Sequence, residues 1–210
     1  MKTIVFQGDS ITDFGRNREQ QDNFNSPAQL GTGYVNLTAS ELLWRFPEDD
    51  LHIYNRGIGG HRVVDLYARW KIDTINLNPD IITILIGVND FWHGELNGNN
   101  VEIDRFETVY RMLLDWTFKA CPKVKVILMA PFTVTGLGPV TPEFAAEVAK
   151  YAQVVEKIAK DYDLPFIPLQ KHFDDALKTM EPAYLAPDGI HPSPAGHTII
   201  KNALMPFIAE

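Results

Sequence analysis

The 210-residue chain has a single cysteine, Cys121. One cysteine excludes an internal disulfide and any multi-cysteine zinc site. A basic excess is also missing. Asp and Glu number 27 against 19 Lys and Arg, a formal charge of −8, and no local basic patch offsets it. So acidic a chain does not seek phosphate backbones or anionic lipid, so neither nucleic acid nor membrane is expected as a partner. Long apolar runs are absent. The longest uncharged apolar stretch begins at Ile81 and ends by Val88, too short to span a bilayer. Ile4-Val5-Phe6, behind Met1-Lys2-Thr3, is too short for the core of a signal peptide, and a cytoplasmic location is the expectation. No linker, repeat or charge block divides the chain. Its length suits one domain, residues 1–210, and 45% hydrophobic with 22% charged residues is a globular composition rather than a disordered one.

Familiar signatures are missing as well. There is no G-x-S-x-G elbow, no G-x-x-x-x-G-K-[ST] loop and no H-E-x-x-H. Gly57-Ile58-Gly59 is not followed by glycine at the dinucleotide-binding spacing. Cys121 stands before Pro122 at a predicted helix end and reads as a small packing residue. No metal and no cofactor is expected.

What is present is a series of apolar, β-branched runs: Thr3–Gln7, Leu51–Asn55, Asp80–Ile86, Val124–Met129 and Leu164–Pro168. Most are continuous, as befits parallel strands buried on both faces. Helical patterns lie between them. Phe144, Val148, Tyr151, Val155 and Ile158 make one apolar stripe; Phe106, Tyr110, Leu113 and Thr117 make a looser one. Gly33–Phe46, Arg62–Ile75 and Pro194–Ile208 complete the set. Alternating strands and helices predict an α/β fold with a five-stranded parallel sheet.

In such sheets ligands bind beyond the carboxyl ends of the strands. The segments found there are Gly8-Asp9-Ser10-Ile11, Arg56-Gly57-Ile58-Gly59-Gly60-His61, Gly87-Val88-Asn89-Asp90 and Ala130-Pro131-Phe132. The last long loop holds Asp188-Gly189-Ile190-His191. Ser10 could be a nucleophile at the start of a helix, where backbone N–H groups face a developing oxyanion. It could instead be a helix N-cap, and on the tripeptide alone capping explains it better. Asp188 and His191, three residues apart, could form an oriented general base, or a turn aspartate and a solvent-facing histidine. His172, three residues before Asp175, reads as a surface pair. Gly60 could offer a backbone N–H and Asn89 a side-chain N–H to an oxyanion; the bland alternatives are a tight turn and an Asx-turn.

Together and in this order, Gly8-Asp9-Ser10-Ile11, Asn55-Arg56-Gly57-Ile58-Gly59-Gly60, Gly87-Val88-Asn89-Asp90 and Asp188-Gly189-Ile190-His191 resemble the four sequence blocks of the SGNH (GDSL) hydrolase superfamily. The resemblance implies a flavodoxin-like α/β/α sandwich, with Ser10 as nucleophile and His191 as base oriented by Asp188. It also implies Gly60 and Asn89 as oxyanion donors beside the Ser10 amide. Isoleucine replaces the leucine of Gly-Asp-Ser-Leu, and Gly59 stands where many members have serine. Asn55–Leu66 with Ala68-Arg69-Trp70, Ile86–Trp92 and Met129–Phe132 are similar to the small carbohydrate acetylesterases, bacterial acetylxylan esterases among them. This implies a small acylated carbohydrate as substrate, with Asp9, Arg62 and Trp92 as candidate binding residues. Trp92 could stack on a sugar ring or pack in the core. Two other readings stay open: a lipase-like or thioesterase-like acylhydrolase for longer chains, and a non-catalytic sugar-binding module. Whether Phe132–Pro142 is a lid or a subunit contact in a homo-oligomer is left open.

Overall fold

The apolar runs pair as five parallel strands. The computed structural model describes residues 1–209. β1 (Lys2–Gly8), β2 (Leu51–Asn55), β3 (Ile81–Leu85), β4 (Lys125–Met129) and β5 (Phe166–Ile167) form one sheet in the order β2-β1-β3-β4-β5. That order reverses direction beside β1 and is the flavodoxin-like arrangement. All five residues of β3 are buried, whereas β2, at the edge, alternates between buried and half-buried positions. A central strand is covered on both faces and an edge strand less so, which is why β3 reads as a continuous run.

The period of two splits each strand between two cores. β3 sends Ile81 and Leu85 to one side and Ile82 and Ile84 to the other. The first core packs against α3 (Tyr34–Arg45) and α10 (Pro194–Ile208), through Tyr34, Leu42, Ile200 and Leu204. The second packs against α4 (Val63–Asp73), α6 (Ile103–Ala120) and α7 (Pro142–Asp161), through Trp70, Phe106, Tyr110 and Val155. The result is a three-layer α/β/α sandwich. Burying each such side chain contributes about 1.5–3 kcal/mol. Trp70 is fully buried, and its indole N–H donates to Thr117 Oγ1 at 2.8 Å, tying α4 to α6. Among the described residues no helix is long and apolar enough to cross a membrane.

Two expectations need correction. The strand expected over Leu164–Pro168 shrinks to Phe166–Ile167, because Pro165 and Pro168 have no N–H to give a ladder. The segment Gly87-Val88-Asn89-Asp90, expected only as a connection beyond a strand end, leads into an unexpected helix, α5 (Val88–Asn97). Gly87 opens it at φ 137° and Gly98 closes it in the left-handed region, its amide donating to the Gly94 carbonyl. The helix expected to start at Ser10 is α1 (Ser10–Asp13), and His172 and Asp175 lie in α8 (Leu169–Ala176). Two further helices, α2 (Pro27–Leu30) and α9 (Pro182–Leu185), were not expected and are too short to carry a 3.6-residue stripe. The register pairs Gly8 with Leu85, Leu85 with Met129, and Met129 with Ile167. The carboxyl ends of these strands are therefore level, and the loops that follow them share one edge of the sheet.

Candidate active site

The first of these loops begins at Gly8. A Cβ there would overlap the Thr12 hydroxyl and crowd the Leu85 carbonyl, so only glycine lets the chain turn back this tightly into α1. Both Asp9 and Ser10 are good caps by type, but the cap is Asp9, whose Oδ1 accepts the Ile11 N–H at 3.0 Å. Ser10 takes the first helical position and its hydroxyl points elsewhere. Ser10 Oγ lies 2.8 Å from His191 Nε2, across 181 residues of chain. His191 Nδ1 lies 2.7 Å from Asp188 Oδ2. An ionised carboxylate only accepts, so Nδ1 carries the proton, which leaves Nε2 as the ring nitrogen able to accept from the Ser10 O–H. Asp188 Oδ1 also accepts the amides of His191 at 2.7 Å and Ile190 at 2.9 Å, which closes the three-residue turn. Burial pushes the Asp188 carboxyl up, but the bonds from the His191 ring and the two amides outweigh it and hold the group below its ordinary range. The arrangement is a hydroxyl hydrogen-bonded to an imidazole that a carboxylate orients, a geometry suited to a general base.

The turn is supported from behind. Val134 donates to the Gly189 carbonyl at 2.8 Å. A Cβ on Gly138 would overlap the Asp188 carbonyl, and one on Gly189 would crowd the Val134 and Leu137 carbonyls. Phe132–Pro142 thus packs against the Asp188–His191 turn as a buttress.

The Gly57–His61 loop passes beside Ser10. Gly60 sits at φ +79° in a turn closed by the His61 amide on the Ile58 carbonyl. A Cβ on Gly59 would lie 3.8 Å from that of Ser10. Asn89, on the first turn of α5, gives one side-chain N–H to the His61 carbonyl at 3.2 Å, leaving its second for another acceptor. The Ser10 amide, at a helix start, has no intrahelical acceptor. Beside Ser10 and His191 opens a cleft of about 320 Å³, also lined by Asp13, Phe14, Gly15, Arg16 and Arg18.

Of the residues expected at the substrate, only Trp92 flanks the machinery. Its ring centroid is 6.5 Å from His191 and 6.3 Å from Phe144. Asp9 is 1% exposed and occupied as a cap. The Arg62 guanidinium is held by Asp65 at 2.9 and 3.1 Å and by the Asn99 carbonyl at 2.7 Å. Both are turned to the protein. The surface pair expected between His172 and Asp175 is replaced by bonds from Lys171 and Lys178 to Asp175. A residue missed in the sequence is Arg69. It donates to the His61 ring at 3.1 Å, the Arg56 carbonyl at 2.8 Å, Asp73 at 3.0 Å and the Gly8 carbonyl at 3.3 Å, so one guanidinium joins the ends of β1 and β2. The Arg69–Asp73 spacing of four on a helix was the available signal. Among the described residues no group of three or more His, Cys, Asp or Glu is placed to hold a metal ion.

A family described as GDSL-like lipase/acylhydrolase matches residues 6–199. The chain belongs to this family. It is therefore a carboxylic ester hydrolase. An acetylxylan esterase of Geobacillus stearothermophilus is 38% identical over 207 residues, covering 96% of this chain and 91% of the relative. A solved form of that enzyme, Axe2, superposes with a TM-score of 0.88 at 37% identity over 98% of this chain and 93% of its own. A protein of Parabacteroides merdae described as a GDSL-like lipase superposes with a TM-score of 0.94 at 35% identity, covering 98% and 94%.

Two buried groups of this GDSL-family hydrolase titrate in opposite senses. Burial pushes Asp9 up to about 7, against the pull of the Ile11 amide and His191. Burial pushes His197 down to about 4; it accepts the Tyr34 amide at 3.1 Å and lies edge-on to Phe14. Between pH 4 and 7 the folded state keeps an Asp9 proton that the unfolded chain gives up, so this contribution is largest below the unfolded value and is lost as pH rises. His197 acts the other way, its contribution being lost as pH falls from 6.5 to 4. Asp9→Asn keeps a good cap and removes only the first slope. Its stability relative to the parent protein should therefore grow as pH rises from 4 to 7, by up to about 4 kcal/mol at 1.36 kcal/mol per pH unit, and level off above. Urea unfolding at several pH values checks this; a constant difference would mean that Asp9 is ionised throughout.

Proposed function

We propose that this hydrolase removes acetyl groups from small acylated carbohydrates through a covalent acyl-enzyme. The observation that carries the reading is the unbroken Ser10–His191–Asp188 relay, 2.8 and 2.7 Å long, opening on the cleft. His191 Nε2 takes the Ser10 proton as Oγ bonds to the acyl carbon. The carbonyl oxygen becomes an oxyanion, received by the Ser10 and Gly60 amides and the free Asn89 N–H. As the intermediate collapses, the carbon–oxygen bond to the sugar breaks and the imidazolium returns the proton to the leaving alcohol. Water then repeats the sequence and releases acetate. Asp188 keeps Nδ1 protonated throughout.

The substrate class is supported by the likeness to an acetylxylan esterase, whose solved forms include catalytic mutants at a serine and an aspartate. It is supported also by the site. Arg16, Arg18 and Asp13 line the cleft where a long acyl chain would need an apolar groove. Each methylene is worth about 0.8 kcal/mol only where it can be buried. Trp92 offers an aromatic face beside His191 for the C–H surface of a sugar.

The test is a substrate panel: p-nitrophenyl acetate, p-nitrophenyl octanoate and acetylated xylo-oligosaccharides, with Ser10→Ala as control. Acetyl esters should show the higher kcat/KM. Trp92→Ala should harm the oligosaccharides more than p-nitrophenyl acetate. A preference for octanoate would establish the long-chain acylhydrolase instead, and no turnover at all would favour a sugar-binding module. Separately, Asn89→Ala should lower kcat by ~10²–10³ with little change in KM, because an oxyanion donor acts mainly in the transition state. A raised KM alone would place Asn89 in ground-state binding.

A further inference from the structure

Helix α1 carries a second carboxylate, three residues after Ser10, that the mechanism does not use. The Asp13 side chain is 12% exposed. Its Oδ2 accepts the Gly59 amide at 2.9 Å and Arg18 Nη2 at 2.6 Å. Its Oδ1 lies 3.3 Å from Arg16 Nε, which donates to the Gly57 carbonyl at 2.7 Å. Gly57 is pressed so close to α1 that a Cβ would overlap the Asp13 amide nitrogen. The oxyanion loop is thus fastened to the nucleophile's helix at Gly57 and at Gly59, and the next residue is Gly60.

We propose that Asp13 is a positioning residue for the oxyanion hole. By holding the Gly59 amide it fixes the neighbouring Gly60 N–H relative to Ser10, so that nucleophile and donor move as one body. The inference rests on the serine-esterase reading above. Donors to an oxyanion must stand about 2.7–3.1 Å from the position it will occupy. A displacement of about 1 Å at such a site costs on the order of 10²-fold. Because the interaction strengthens in the transition state, the loss should fall on kcat rather than KM. The bond to Gly59 needs an acceptor oxygen, not a charge, so asparagine can replace it and alanine cannot.

The experiment compares Asp13→Ala and Asp13→Asn on p-nitrophenyl acetate and on phenylboronic acid, whose tetrahedral adduct with a serine places an oxygen in the oxyanion hole. Asp13→Ala should lower kcat and boronate affinity each by about 10–100-fold, with KM within about twofold. Asp13→Asn should keep both within about fivefold. Equal losses in the two variants would overturn the proposal in favour of a charge effect on Arg16 and Arg18. A lowered kcat with boronate affinity intact would overturn it too. If circular dichroism shows that Asp13→Ala does not fold, Asp13→Asn decides: retention supports the role, and a hundredfold loss in a folded protein defeats it. Absence of Ser10-dependent esterase activity in the unsubstituted protein would instead defeat the esterase reading itself.

Discussion

The site depends on a steric constraint: α1 is wedged between the end of β3 and the Gly57–Gly60 loop with no room for a Cβ on either side. Gly8 allows contact with Thr12 and the Leu85 carbonyl, and Gly57 allows contact with the Asp13 backbone. The rest follows from this packing. A helix that starts immediately after the strand brings a half-buried hydroxyl and an amide without an intrahelical acceptor to the sheet's carboxyl edge. The same closeness puts the Gly57–Gly60 loop within hydrogen-bonding reach of the helix's own Asp13 side chain.

The polar residues around that wedge are better understood as specifying geometry than as stabilising the fold. Asp9, Asp13, Arg16, Arg56 and Arg69 are all largely withdrawn from water. Arg16 Nη1 and Arg56 Nε have no partner among the described residues. Buried ion pairs recover their desolvation only in part. Arg69 shows what such a group gives in return. Its planar fork reaches two carbonyls, a ring nitrogen and a carboxylate at fixed angles, which a hydrophobic residue of equal volume cannot do.

The sheet was legible because burial on both faces leaves a continuous apolar run, and the contact of Ser10 with His191 and Asp188 because these residues sit in short, ordered blocks. Where two residues compete for one role, the reading fails. Asp9 and Ser10 are both good caps, and which side chain folds back depends on torsions that residue type does not encode. Helix α5 was hidden because Asn89, Asp90, His93 and Gly94 interrupt its apolar positions, and it holds its place by packing Phe91 and Trp92 against Phe144. Arg62 and Asp9 were expected at the substrate because they neighbour the motif; their bonds show that proximity in sequence here means support for the loops.

Ser10 and His191 stand 181 residues apart, with the serine behind the first strand and the histidine just before the last helix. During synthesis from the N-terminus, Ser10 leaves the ribosome early and waits without its imidazole partner. β1 itself must wait for β3 before its second edge is paired. Only when α10 docks on α3 does the final turn bring the imidazole over the hydroxyl. A nascent or C-terminally clipped chain therefore lacks the Ser10–His191 contact, and formation of that contact reports the closure of nearly the entire polypeptide.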